Sequence, residues 1–193
     1  MRVLLLGLMG SGKTTVGRLL AASLDVPYRD NDALIAEREG RTSVELAQAG
    51  GGLLHDAESR LLHELLARTE SFVAGVPASV ADRPEDVELL RHADALVVYL
   101  DVPPEVLVER VVADGPRPWL GDDPSAFVAS TYARRDPVLR AAADVVVDGS
   151  QPPDAVAARI LAAGDLPPMR SLPVAVGREE AARTGASRRK AQG

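Results

Sequence analysis

Residues 3–15 read Val3-Leu4-Leu5-Leu6-Gly7-Leu8-Met9-Gly10-Ser11-Gly12-Lys13-Thr14-Thr15. An apolar run of strand length leads straight into a segment fitting G-x-x-x-x-G-K-[ST]. The next segment, Val16 to Leu24, carries its apolar residues at helical spacing. Strand, glycine loop and helix in that order form a P-loop. The glycines let successive backbone N–H groups turn toward one anion, and the helix N-terminus adds positive potential. This reading assigns Gly10, Ser11, Gly12, Lys13, Thr14 and Thr15 to nucleotide phosphates. Lys13 reaches the β- and γ-phosphates, and the Thr14 hydroxyl is a Mg²⁺ ligand.

Working outward, the chain contains two lysines, Lys13 and Lys190, against twenty arginines. The P-loop lysine is therefore the sole lysine before the C-terminal tail. A compact ammonium suits a tight phosphate loop better than a planar guanidinium. The 193 residues suffice for one α/β domain, with an aliphatic core because aromatics make up only 3%. A net charge of −6 argues against nucleic acid as a partner. Without cysteine there is neither a disulfide framework nor a thiolate metal site. No apolar stretch reaches membrane-spanning length, and the N-terminus enters strand one without a signal-peptide layout. The expectation is a cytoplasmic, monomeric enzyme with no membrane partner.

Short apolar runs alternate with helical patterns, as in a parallel sheet flanked by helices. The runs predict five strands, near 2–6, 27–29, 71–75, 95–100 and 143–147. Helices are predicted near 13–24, 32–38, 43–49, 53–68, 84–91, 103–113, 124–141 and 153–163. Residues 114–123, rich in Gly, Pro and Asp, read as a mobile loop. Residues 165–193 lose the apolar period and read as a disordered tail behind a domain spanning 1–164.

Arg29-Asp30-Asn31-Asp32 falls at the end of the second strand, on the edge where parallel sheets bind ligands. Of Asp30 and Asp32, one carboxylate can order Mg²⁺ through water and the other can take a proton from an attacking hydroxyl. The competing role is helix capping, by Asn31 or Asp32. Leu96 to Asp101 has the form of a Walker B strand, but reads better as a buried strand with a polar exit residue. Arg110, Arg117, Arg134, Arg135 and Arg140 are candidates for charge neutralisation. Arg117 lies in the mobile loop beside Trp119, where closure would bring it over a transferring phosphoryl group. No pair among the three histidines has metal-ligand spacing.

Taken together, these blocks resemble the shikimate kinase family of nucleoside-monophosphate-kinase-like P-loop enzymes, over about residues 2–163. Gly7 to Arg18 is very close to the family P-loop, and Asp30-Asn31-Asp32-Ala33-Leu34-Ile35 with Gly40-Arg41-Thr42 is similar to its D-T-D block. Arg117-Pro118-Trp119-Leu120 resembles the lid, and Arg134 to Arg140 resembles R-x-P-L-Y-R. The resemblance implies a P-loop kinase fold with a mobile lid. It also implies transfer of the γ-phosphoryl of MgATP to a hydroxyl of shikimate or a related acid. Catalytic roles would fall to Lys13, Asp32 and Arg117, and the metal to Thr14 and Asp30. Arg110 and the segment ending at Pro153 would lie against adenine, and Asp32, His55, Gly75 and Arg140 would hold the acceptor, with Arg140 on its carboxylate.

The departures concern the acceptor. Histidine (His55) stands where the family has arginine, with Asp56 beside it, and Ala74-Gly75-Val76-Pro77-Ala78 replaces a glycine triplet. A mostly neutral imidazole in place of a guanidinium forfeits a charged hydrogen bond, worth roughly 1.5–3 kcal/mol. Two alternatives therefore stay open: a same-fold kinase of a cyclitol or sugar acid, and a non-catalytic nucleotide-binding relative.

Overall fold

Val3, Leu4, Leu5 and Leu6 are all completely buried, because the strand that carries them is the centre of the sheet. The computed structural model describes residues 1–115 and 120–164. Within them, β1 (Arg2–Leu6) is paired on one side with β3 (Phe72–Gly75) and on the other with β4 (Leu96–Asp101). The outer strands β2 (Tyr28–Arg29) and β5 (Val145–Asp148) complete an all-parallel sheet of order β2-β3-β1-β4-β5. The connection from β3 to β4 crosses β1, so the C-terminal ends of the three central strands open at a topological switch point.

Successive β1 side chains enter opposite cores, since strand side chains alternate. Val3 and Leu5 pack with Val16 and Leu20 of α1 (Lys13–Leu24) and with Val156 and Ile160 of α8 (Pro153–Gly164). Leu4 and Leu6 pack into the larger core. That core also takes residues from α2 (Asn31–Glu39), α3 (Ser43–Ala49), α4 (Gly51–Ala67), α5 (Pro84–Arg91), α6 (Pro104–Ala113) and α7 (Pro124–Ala142). Covering on both faces is why β1 reads as an unbroken apolar run.

All five expected strands and eight expected helices are present among the described residues, shifted by two residues or fewer at their ends. One element was not expected, a 3₁₀ turn over Ala78–Asp82 that follows β3 directly. Pro77 is buried at its N-cap, so the chain turns there rather than forming an open glycine loop. The expectations for Arg117, Trp119 and the 165–193 tail lie outside the described residues. Among the described residues, no helix is long and apolar enough to cross a membrane.

Candidate active site

Gly12 sits at the N-cap of α1 with φ 92°, a left-handed conformation that glycine adopts without strain. No side chain caps this helix, so its first-turn N–H groups face the loop rather than a neighbouring residue. The loop is drawn tight by Ser11 N–H donating to the Leu8 carbonyl at 3.1 Å. The Ser11 hydroxyl oxygen is buried and has no protein partner. Such an orphaned polar atom, beside an uncapped helix start, fits a cradle built for an anionic ligand. Lys13 Nζ folds over the loop and donates to the Gly7 and Leu8 carbonyls at 2.6 and 3.1 Å.

Asp30 caps a helix with one oxygen and meets Thr14 with the other. The N-cap of α2 is Asp30, not Asn31 or Asp32: its Oδ1 accepts from the Asp32 and Ala33 N–H groups at 3.1 and 3.2 Å. The other oxygen, Oδ2, accepts from the Thr14 hydroxyl at 3.3 Å. Capping thus fixes the carboxylate with one oxygen against Thr14. These two oxygen-bearing side chains are the pair that could hold a metal, and so small a protein ligand set suits Mg²⁺, which keeps most of its waters. Asp32, in the first turn of α2, accepts from the Ser43 hydroxyl of α3 at 2.7 Å. Tyr28 adds a phenol that sequence reasoning did not single out. Burial raises its pKa, opposed by a hydrogen bond with Thr14. A Cβ at Gly75 would lie 3.1 Å from that phenol oxygen, so position 75 packs against Tyr28.

Arg110 braces the nucleotide end. Its guanidinium donates to the Gly10 carbonyl at 3.4 Å and to the Gly149 and Ser150 carbonyls at 3.1 and 3.3 Å. The P-loop is thereby tied to the turn that leads into Pro153, the first residue of α8.

A second polar cluster forms around Glu58, which is buried on α4 and accepts from the Ser79 hydroxyl. Burial pushes its pKa up to about 7, partly opposed by that hydrogen bond and by Arg135 and Lys13. Asp32 adds to the rise, so Glu58 feels both halves of the site. His55, one turn earlier on α4, is held below its ordinary pKa by burial and then by the charge of Arg135. It therefore stands neutral at pH 7. Asp82 binds Arg135 through Nε and Nη2 at 3.1 and 2.6 Å.

Arg140, expected on the acceptor carboxylate, is paired with Asp101 at 2.7 Å and Asp136 at 2.9 Å, over the Tyr99 ring. The arginine whose charge acts on His55 and Glu58 is Arg135. Five helical residues turn a side chain by about 140°, so positions 135 and 140 occupy different faces of α7. Asp101, at the end of β4, accepts from Arg140 and from Tyr132 Oη at 3.0 Å. His63 is drawn to the buried Asp86 at 3.1 Å, and His92 lies against the end of its own helix.

Glu58 makes a testable contribution to stability. Its folded pKa lies above the ordinary 4.5, so the stabilisation is complete below about 4.5 and is lost as pH rises through about 7. Replacing it by glutamine should flatten this dependence and make the variant more stable than wild type at pH 8, by about 3 kcal/mol. Urea unfolding at pH 5 and pH 8 checks this; equal slopes with pH in both proteins would refute it.

A family model described as shikimate kinase matches residues 9–164. The shikimate kinase of Burkholderia thailandensis is 40% identical over 152 residues, spanning 78% of this chain and 82% of that protein. That of Synechococcus elongatus is 36% identical over 160 residues, spanning 81% and 83%. Among solved structures, shikimate kinase from Acinetobacter baumannii in complex with shikimate aligns with a TM-score of 0.77 at 30% identity, covering 83% of this chain and 90% of that one. A gluconokinase from Sinorhizobium meliloti, at 22% identity and a TM-score of 0.57, shares the fold alone. The matched span runs from the glycine loop through α8, and the chain belongs to the shikimate kinase family.

Proposed function

We propose that the chain transfers the γ-phosphoryl group of ATP to a hydroxyl of shikimate, with Mg²⁺ as cofactor. The observation that carries this reading is the Thr14–Asp30 contact at 3.3 Å beside an uncapped helix start, with Asp32 two residues on. Gly10 to Thr15 would hold the phosphates, and Lys13 would neutralise charge on the β- and γ-groups. Thr14 and Asp30 would hold Mg²⁺, which when bound offsets the charge that develops on the phosphate oxygens. Asp32 would accept the proton of the attacking hydroxyl as its oxygen bonds to the γ-phosphorus and the bond to the β-γ bridging oxygen breaks. Arg117 is assigned to the transferring phosphoryl group, and Arg110 with Pro153 to the adenine side.

On the acceptor side, Asp32, Glu58 and Arg135 take the roles of hydroxyl and carboxylate contacts, with Gly75 and His55 at the edges. The solved relative named for its complex with shikimate supports this choice of acceptor. Acceptor-dependent ADP release tests it, over a panel of shikimate, quinate, cyclitols, sugar acids and nucleoside monophosphates. Release should require Mg²⁺ and be fastest with shikimate or a close relative. Release with nucleoside monophosphates alone, or with no acceptor in the panel, would contradict the reading.

A further inference from the structure

Asp82 has no part in the reaction just described, yet its carboxylate sits on the guanidinium assigned there to the acceptor. It ends the 3₁₀ turn and fills the Nε/Nη2 edge of Arg135 at 3.1 and 2.6 Å. Arg134 Nε approaches the same carboxylate at 3.5 Å. Both Arg135 contacts fall on Oδ2, while Arg134 faces Oδ1, so Asp82 takes up the guanidinium edge that a substrate carboxylate would need. The pair is sheltered, with side-chain exposures of 15% for Arg135 and 26% for Asp82, so salt screens it less than a surface pair.

The neighbouring charges compensate a second carboxylate only in part, through the exposed Arg134 that already approaches Asp82. Arg83 is paired with Asp56 on α4, and His55 is held neutral by burial and by Arg135. Burial alone would raise the Asp82 pKa, but the hydrogen bond and charge of Arg135, with the charge of Arg134, hold it below its ordinary value. Asp82 is therefore an anion at neutral pH. An incoming carboxylate must displace it or sit beside it against like-charge repulsion. An uncharged ring polyol faces neither demand. Its hydroxyls can donate to Asp82 and accept from Arg135 while the pair stays intact.

We propose that Asp82 is a specificity-determining residue that competes with the acceptor's carboxylate for Arg135, shifting selectivity from hydroxy acids toward uncharged polyols of similar ring size. This rests on the acceptor reading above. Asp82→Asn keeps the shape and removes the charge. It should tighten shikimate binding to the ADP-loaded protein by about tenfold or more, measured by calorimetry. It should also raise the ratio of kcat/KM for shikimate over its methyl ester by a similar factor, with the gain appearing in KM for shikimate. Asp82→Ala should move the ratio in the same direction, which guards against one badly folded variant. An unchanged ratio, or weaker shikimate binding in both variants, overturns the proposal. The two readings fail separately. Absence of wild-type turnover on shikimate rejects the assigned reaction, whereas tighter binding of shikimate to D82N still upholds the role of Asp82.

Discussion

Lys13→Ala is expected to lower kcat for acceptor phosphorylation by about a thousandfold or more, a loss of roughly 4 kcal/mol of transition-state stabilisation. Two contributions disappear together. The first is the ammonium assigned to the β- and γ-phosphates, for which no other lysine precedes the C-terminal tail. The second is the brace across the loop, since Nζ donates to the carbonyls of Gly7 and Leu8. Lys13→Arg should not rescue the rate, because a planar guanidinium cannot replace a compact ammonium folded over its own loop. ADP-release kinetics and an unchanged circular dichroism spectrum check this. A rate within tenfold of wild type in the alanine variant would remove Lys13 from the chemistry.

Asp32→Asn should lower kcat by about 10²- to 10⁴-fold, the range for losing a positioned general base. Nucleotide affinity should stay within a few-fold of wild type, because Thr14, Asp30 and the loop are untouched. The separation of effects is the informative part. Asp32 is oriented by the Ser43 hydroxyl at 2.7 Å and by its place in the first turn of α2, so the amide keeps the geometry and loses the basicity. Nucleotide titration and single-turnover kinetics measure the two quantities. Full turnover in the variant would mean that the acceptor proton leaves by another route.

The nucleotide end was legible in the sequence because its determinants are local. A strand buried on both faces reads as an apolar run, the loop's glycines sit at fixed offsets, and α1 follows at once. The proposed acceptor end was less legible because its residues come from α2, α4, the turn after β3, and α7. Histidine 55 and the lost glycine triplet were visible as departures, but the partner they face was not. Arg135 and Arg140 show the limit. Both fit the segment's pattern, and only the rotation of α7 separates the arginine among His55, Glu58 and Asp82 from the one held by Asp101 and Asp136. Asp82 escaped notice for a related reason. It ends a 3₁₀ turn whose residues, Ala78 to Asp82, show no apolar period.

The capping of α2 gives a similar lesson. Sequence alone offered Asn31 or Asp32 as the cap and set capping against metal binding. In the structure one Asp30 oxygen holds the helix and the other meets Thr14, so capping is compatible with the metal role proposed for it. A residue fixed by its own backbone is better pre-organised for an ion than a free side chain would be.

Phosphoryl transfer to the acceptor is the central claim, and ³¹P NMR of the purified chain with MgATP and shikimate tests it most directly. The account predicts a new phosphomonoester resonance that grows in step with ADP, depends on Mg²⁺ and is lost in the Lys13→Ala variant. ADP accumulating with inorganic phosphate alone, or no change in the ATP resonances, would contradict it.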